Sequence, residues 1–314
     1  MEVFLKTFGS PAPLISTLSN AWEDFPILRL RFFLRSNGLS LPHFHGAFWH
    51  SVLGMGLHRK FPETYEALWK KEGCQLYAIH APMCLDSLIQ PGEIVSFDLT
   101  LFGDATRYAL HCMEALHDVS ISGLGRKTFH GERGTACLVA VESITPFGVE
   151  VLFGEGEESV ANPAPFLAGD ILSVAKGVRS NRINLLCETP IHLKTDNRVC
   201  MVPPEFSLIV KRLLGRMNQF VPMPFTMEKK ILLDRSLEVS QGCHDIGWFD
   251  IHRWSSRQEK DLIHGGIVGT LEYSGDLTPF LQWLTMGQWL QIGSKTTFGL
   301  GVYRLSLDPI GSSE

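Results

Sequence analysis

The sequence lacks the features that place a protein in a membrane or outside the cell. In its 314 residues no apolar run reaches the ~18 residues that a membrane-spanning helix needs. The first 13 residues show no basic stretch followed by an apolar core, so we expect no secretory signal. The seven cysteines form no CxxC pair and their number is odd, which argues against a zinc motif or a disulfide framework. We therefore expect reduced, mostly buried thiols in a cytoplasmic protein.

The sequence also lacks an excess of positive charge and the residue spacings that are typical of metal ligands. The net charge of −5 argues against indiscriminate nucleic-acid binding, although it permits a local basic face. A solvated surface is the commoner role for any one cluster of basic residues. The candidates for such a face are Arg179, Arg182, Lys211, Arg212, Arg216, Lys229, Lys230, Arg253 and Arg257. Four of the twelve histidines lie between positions 43 and 58, but no HExxH spacing occurs. We expect no metal and no other cofactor, and histidine also suits acid–base work without one.

The composition is that of a folded protein, with 45% hydrophobic and 19% charged residues, and the length suits two domains. An acidic stretch with glycine and proline and no clear period lies within residues 146–180. We accordingly expect an N-terminal domain at 1–150, a linker region at 151–180 and a C-terminal domain at 181–314.

A repeated unit supports two similar domains. Residues 97–129 and 268–305 each contain an apolar strand, a Gly-Asp pair, an amphipathic helix, a Gly-Leu-Gly and a further strand. Elsewhere the periodicity predicts helices at 45–57, 62–70 and 206–217, and strands at 27–34, 94–101, 136–144, 231–239 and 247–254. The segment 183–196 is expected to be extended. This order predicts an α+β fold of two tandem ferredoxin-like (RRM-like) domains with a C-terminal Gly-rich loop. The open face of such a sheet commonly receives nucleic acid.

The Gly-rich loop, KTTFGLG at 295–301, is the most distinctive stretch. Gly299 and Gly301 allow a tight turn, and successive backbone N–H groups in such a turn form an anion site. Lys295, Thr296 and Thr297 place further donors beside it. The alternative is a structural turn that leads into the last strand.

Several segments resemble one family: FHGAFWHSVLG, PGEIVSFDLTLFG, SISGLGRKTF and the run from Arg253 to Gly301. They are similar to the CRISPR-associated, repeat-specific endoribonucleases of the RAMP superfamily, which mature guide RNAs. The resemblance spans about residues 27–307. It implies a metal-independent reaction in which the ribose 2′-OH attacks the adjacent phosphate and leaves a 2′,3′-cyclic phosphate and a 5′-OH.

The resemblance also implies a histidine on the first helix as general acid or base. We choose His50, with His45 as the second candidate, and Lys295 to stabilise charge on the phosphate. The RNA contacts expected are Arg126, Lys127, Arg253, Arg257, Lys295, Thr297, Gly299 and Gly301. The implied partners are CRISPR repeat RNA and its guide-RNA product, and other subunits of an effector complex, without a membrane. The alternative is a non-catalytic RNA-binding subunit of such a complex.

Overall fold

The computed structural model describes residues 19–70, 73–83, 88–120, 123–127, 133–156, 161–195, 198–221, 227–255 and 260–307. Within residues 125–127, 133, 252–255 and 260–264 it describes the backbone only. These segments build two sheets, each covered by helices, one in either half of the chain.

The N-terminal sheet is antiparallel and has the strand order β3-β5-β1-β8-β9. Its strands are β1 (Pro26–Ser36), β3 (Tyr77–His80), β5 (Ile94–Phe102), β8 (Ala136–Thr145) and β9 (Gly148–Gly154), and β10 (Phe166–Leu167) pairs with the start of β1. Its helices are α1 (Gly46–Lys60), α2 (Pro62–Leu68) and α3 (Ala109–Ser120), the last preceded by a 3-10 turn at Gly103–Tyr108. Two small ribbons pair β2 (Leu39–Ser40) with β4 (Leu88–Ile89), and β6 (Leu124–Lys127) with β7 (Arg133–Gly134).

The C-terminal sheet has the order β14-β16-β11-β17, and β15 also pairs with β16. Its strands are β11 (Arg182–Ile191), β14 (Ser240–Gln241), β15 (Asp245–Ser255), β16 (Lys260–Ser274) and β17 (Tyr303–Leu307). Its helices are α4 (Ala168–Val174), α5 (Phe206–Phe220), α6 (Met227–Ser236) and α7 (Leu281–Leu290), and 3-10 turns lie at Thr278–Phe280 and Thr296–Phe298. A small ribbon pairs β12 (Lys194–Thr195) with β13 (Arg198–Val199).

The strand order confirms the predicted fold class. Numbered within each half, the four principal strands lie in the order 2-3-1-4, with the first and third adjacent, as in a ferredoxin-like sheet. Strand alternation decides which face each sheet buries. In β1, Leu28, Leu30, Phe32 and Leu34 lie in the core under the helices, while the arginines between them point to the opposite face.

One predicted strand is wrong. Residues 231–239 were expected to be extended, but helix α6 occupies Met227–Ser236. Its buried residues, Glu228, Leu232 and Ser236, recur every fourth position, which is the spacing of one helix face. The Glu, Lys and Leu in this segment are strong helix formers, so local propensity and burial agree.

The two halves contact each other through polar side chains. The Arg29 guanidinium donates to the Gln288 carbonyl at 2.9 Å and stacks 4.2 Å from the Trp289 ring centre. In the opposite direction, the Gln291 side-chain amide donates to the Ile79 carbonyl at 2.8 Å. Both contacts join strands of the first half to the end of α7 in the second. The Gly-rich loop that follows α7 is therefore fixed against the N-terminal half.

Candidate active site

The start of helix α1 packs directly on the Gly-rich loop. A Cβ atom placed on Gly46 would lie 2.2 Å from the carbonyl oxygen of Phe298, so only glycine allows this approach. Gly299 has φ of +89°, and a Cβ there would lie 3.2 Å from the Cα of Gly46. The loop from one half and the helix from the other thus meet backbone to backbone.

His50 lies one turn into α1 and is partly exposed. Its Nδ1 is 2.9 Å from the hydroxyl of Tyr77, the first residue of β3. The Tyr77 hydroxyl also hydrogen-bonds the side chain of Thr297 in the Gly-rich loop. A polar chain therefore connects the histidine to the loop through a tyrosine that is 1% exposed.

The protonation of Tyr77 gives this chain a direction. Burial raises the pKa of Tyr77 well above its ordinary value, so its hydroxyl is neutral and carries a proton at physiological pH. When Thr297 donates to Tyr77, the tyrosine proton is free to point at Nδ1 of His50. In that arrangement a neutral His50 ring carries its own proton on Nε2. Tyr77 in this way orients the imidazole, and with Thr297 as the donor it also selects the tautomer.

Aromatic rings hold His50 on its other sides. The Phe298 ring meets it edge-on at 4.6 Å between centres, and the Trp69 ring stacks at 5.6 Å. Trp69 also donates its indole N–H to the His50 carbonyl at 3.1 Å and stacks on Tyr77 at 4.2 Å. These contacts restrict the ring to one orientation, which is what a positioned acid–base group needs.

His45, the second sequence candidate, occupies a different environment. It is 2% exposed, and its Nδ1 accepts a hydrogen bond from the Trp49 indole at 2.7 Å. Burial lowers its pKa to about 4, against which a backbone hydrogen bond to Pro82 acts weakly. His45 is thus a neutral core residue at physiological pH, and the geometry favours His50 for contact with a substrate.

The amides of the Gly-rich loop are used inside the protein. Phe298 and Leu300 donate to the Lys295 carbonyl, Gly299 donates to Thr296, and Gly301 donates to the Pro190 carbonyl. These four N–H groups therefore do not form the anion site expected from the sequence. Gly301, with φ of +88°, allows close packing instead, since a Cβ there would lie 2.0 Å from the Ile292 carbonyl oxygen.

Lys295 opens the turn that carries Thr297 and Phe298, in a left-handed conformation with φ of 67°. The neighbouring Thr296 is buried and accepts a hydrogen bond from Arg216 at 3.1 Å. The turn is thus held by Arg216 on one side and contacts the surroundings of His50 on the other. This arrangement brings Thr297 and Phe298 into the surroundings of His50.

The structure describes the remaining predicted RNA contacts only in part. Arg257 falls outside the described residues. Arg253 lies in β15 and Arg126 and Lys127 lie in β6, but only their backbones are described. These assignments stay predictions.

Sequence reasoning missed three residues around His50, namely Trp69, Tyr77 and Phe298. Tyr77 lies in an apolar pattern typical of a buried strand, Trp69 lies at the end of a predicted helix, and Phe298 lies within the Gly-rich loop; no spacing in the sequence connects positions 50, 77 and 298. The fold of the N-terminal half brings Trp69 and Tyr77 to His50, and the packing of the two halves adds Phe298. Within the described ranges, no group of three or more His, Cys, Asp or Glu side chains is placed to hold a metal ion. Nor is any helix there long and apolar enough to cross a membrane.

Comparison with known families decides what this fold is related to. Residues 185–303 match the model of the CRISPR-associated endoribonuclease Cas6. This match lies within the C-terminal half of the chain. The resemblance found in the sequence is thereby confirmed. Residues 75–165 match a second model, described as an N-terminal domain. A search of curated proteins found no match.

Solved Cas6 structures share the fold over almost the whole chain. A Cas6 product complex is 14% identical with a TM-score of 0.60, over 88% of this chain and 98% of the other. Thermus thermophilus Cas6 is 13% identical with a TM-score of 0.58, over 90% and 99%. A partial Cas6-RT-Cas1–Cas2 complex contains a 14% identical chain with a TM-score of 0.62, over 94% of this chain and 48% of that longer one. At such identities the likeness establishes the tandem ferredoxin-like fold.

Proposed function

We propose that this protein cuts CRISPR repeat RNA by attack of a ribose 2′-OH on the adjacent phosphate, with His50 as the proton-transfer group. The observation that carries the proposal is the hydrogen-bonded chain from Thr297 through Tyr77 to His50. It joins the first helix to the Gly-rich loop in a chain whose C-terminal half matches an endoribonuclease family.

In the reaction the 2′-oxygen forms a bond to phosphorus while the bond from phosphorus to the 5′-oxygen breaks. The proton lost from the 2′-OH is balanced by a proton gained at the 5′-oxygen, so the products are a 2′,3′-cyclic phosphate and a 5′-OH. The nucleophile belongs to the substrate, and the protein has to supply only proton transfer and stabilisation of charge. We assign the proton transfer to His50 and the charge stabilisation to Lys295, and we expect no metal requirement.

Tyr77 acts through His50 and is a positioning residue. Its buried hydroxyl stays protonated, so it orients the imidazole and does not itself exchange protons with the substrate. Removal of that hydroxyl leaves His50 with the proton-transfer capacity but without a fixed tautomer.

The test is single-turnover cleavage of the host's repeat RNA by His50→Ala, with His58→Ala as the matched control. His58 lies on the same helix but is exposed. Loss of a general acid–base group costs about 10²–10⁴ in rate, so His50→Ala should lose at least about 100-fold while His58→Ala stays near wild type. Tyr77→Phe should retain more activity than His50→Ala and should shift the pH–rate profile.

Equal rates for His50→Ala and wild type would remove His50 from the mechanism. Tight binding of the repeat RNA by the wild-type protein without any cleavage would favour the non-catalytic subunit. If the enzyme cuts, we further expect it to keep one product bound and to work within a larger effector complex.

A further inference from the structure

A basic pocket lies beside the turn that carries Lys295 and Thr297, on the side where Arg216 contacts this turn. Helix α5, the segment after β11 and the loop before the turn enclose a cavity of about 260 Å³. The pocket's polar lining consists of His192, Lys194, Lys211, Arg212, Arg216, Gln219 and Ser294. The lining contains four Lys or Arg side chains and no carboxylate, in a chain whose net charge is −5.

The positive charge in this pocket is not neutralised by the protein. In the part of the chain that the structure describes, no ion pair involves Lys194, Lys211, Arg212 or Arg216. For exposed lysines this is ordinary, but Arg216 is only 7% exposed. Buried charges in proteins are normally paired. A bound anion would supply the missing partner.

Arg216 is held in its charged form by neutral groups. Burial lowers its pKa to about 10, so it still carries its charge at neutral pH. It donates to the Leu290 carbonyl, the Gln219 side chain and Thr296, and its guanidinium lies 4.5 Å from the Phe220 ring centre. These contacts fix the geometry of the guanidinium without cancelling its charge.

Two nitrogens of the pocket's side chains are buried and lack a hydrogen-bond partner among the described residues, Nε2 of His192 and Nε of Arg212. His192 is 5% exposed, and its Nδ1 donates to the Gly265 carbonyl at 2.5 Å. Arg212 donates from its terminal nitrogen to the Lys194 carbonyl. Because buried polar atoms are nearly always satisfied, the orphaned N–H of Arg212 calls for a ligand that accepts a hydrogen bond, whereas Nε2 of the neutral His192 ring is itself an acceptor.

We propose that this pocket binds a phosphate group of the RNA, one that lies away from the phosphate to be cut. The proposal rests on the proposed function for the identity of the ligand, and on the pocket itself for its chemistry. The cavity is slightly smaller than the ~300 Å³ of the smallest common ligand sites, so it suits one phosphate or nucleotide and not a folded element. Arg216 and Thr296 connect it to the turn beside His50, so an occupied pocket also braces that turn.

The test measures how RNA affinity depends on salt, with a repeat RNA made uncleavable by a 2′-deoxy substitution at the cut site. Lys194→Gln/Lys211→Gln changes two exposed pocket residues, and Lys229→Gln/Lys230→Gln removes the same charge from the neighbouring helix α6. Loss of one phosphate contact on single-stranded RNA should lower the salt slope by about 0.7 and weaken binding about tenfold at moderate salt. The α6 variant should keep the wild-type slope.

A second measurement separates RNA from a free anion as the source of the phosphate. Thermal unfolding is recorded without RNA in inorganic phosphate and in chloride of equal ionic strength. The proposal is supported when the salt slope of RNA binding is reduced in Lys194→Gln/Lys211→Gln and unchanged in Lys229→Gln/Lys230→Gln. Equal salt slopes in both variants overturn it. An unchanged slope in Lys194→Gln/Lys211→Gln, together with phosphate stabilisation of the wild type but not of this variant, also overturns it and would mark a free-anion site. Because the RNA is uncleavable, failure of cleavage and failure of this pocket are distinguishable.

Discussion

Replacement of Gly46 by alanine tests whether the contact between α1 and the Gly-rich loop creates the active site. The added Cβ would lie 2.2 Å from the Phe298 carbonyl oxygen, 2.9 Å from its carbon and 3.0 Å from the Gly299 Cα. All three are backbone atoms, so no side-chain rotation relieves the overlap. The helix and the loop have to separate by about 1 Å to reach ordinary contact distance.

That separation acts on the chain of contacts around His50. His50 lies one turn from Gly46 on the same helix, whereas Thr297 and Phe298 belong to the loop that is pushed away. A misplacement of about 1 Å between reacting groups costs about 100-fold in rate. The overpacked contact itself should lower the free energy of unfolding by about 1–3 kcal/mol.

The assay is single-turnover cleavage of repeat RNA, performed well below the unfolding temperature of the variant. Ser51→Ala is the matched control, since Ser51 is exposed on the same helix and bonds only within it. Binding of uncleavable RNA should change by no more than about twofold in either variant, since none of the atoms that the added Cβ would meet belongs to a residue lining the basic pocket.

A Gly46→Ala protein that cleaves at the wild-type rate, with its stability unchanged, would show that α1 and the loop are not tightly apposed. His50, Tyr77 and Thr297 would then not act as one functional unit. Slow cleavage combined with equally weak RNA binding would instead point to a general loss of structure.

Three further predictions concern stability, each measured by denaturant unfolding. Because the pKa of His45 falls from 6.5 to about 4 on folding, acid should cost the wild type about 3 kcal/mol as the pH falls from 6.5 to 4. His45→Gln should lack that slope, and an unchanged slope would refute the assignment. Burial raises the pKa of Asp98 but hydrogen bonds from His80 and Arg31 lower it to about 2, so its stabilisation is present above pH 3.8 and is lost as the pH falls towards 2. Asp98→Asn should therefore lower stability by about 2 kcal/mol at neutral pH, and a difference from wild type that persists at pH 2 would contradict this. Gly301→Ala should cost at least about 2 kcal/mol because of its positive φ and its approach to Ile292, and a wild-type stability would refute that packing.

The sequence predicted the elements whose periodicity is strong. β1 alternates cleanly between leucine and arginine, and α5 carries one apolar face, so both are placed within three residues of their ends. The duplicated units also predicted the tandem fold. The prediction failed at 231–239, where three adjacent apolar residues resemble a strand and the burial at every fourth position appears only in the structure.

The site was less predictable because its residues are distant in sequence. The family resemblance implied a histidine on the first helix and so suggested His50, and the loop motif suggested Lys295 and Thr297. The sequence around Tyr77 is that of a buried strand residue, and Tyr77 becomes a partner of His50 only because the N-terminal half folds with β3 beside α1. The basic pocket was also difficult to predict from the sequence. Lys211, Arg212 and Arg216 formed one candidate patch, but the burial of Arg216 depends on tertiary packing.

The most direct test of the central claim is cleavage of repeat RNA in EDTA, with a ribose or a 2′-deoxyribose at the cut site. We predict that the all-ribose RNA is cut without metal to a 2′,3′-cyclic phosphate and a 5′-OH. We also predict that the single deoxy substitution abolishes cleavage while binding is kept, because the nucleophile is gone and the backbone contacts are not. Cleavage of the deoxy RNA at the same position, or cleavage only when a divalent metal is added, would refute the proposed mechanism.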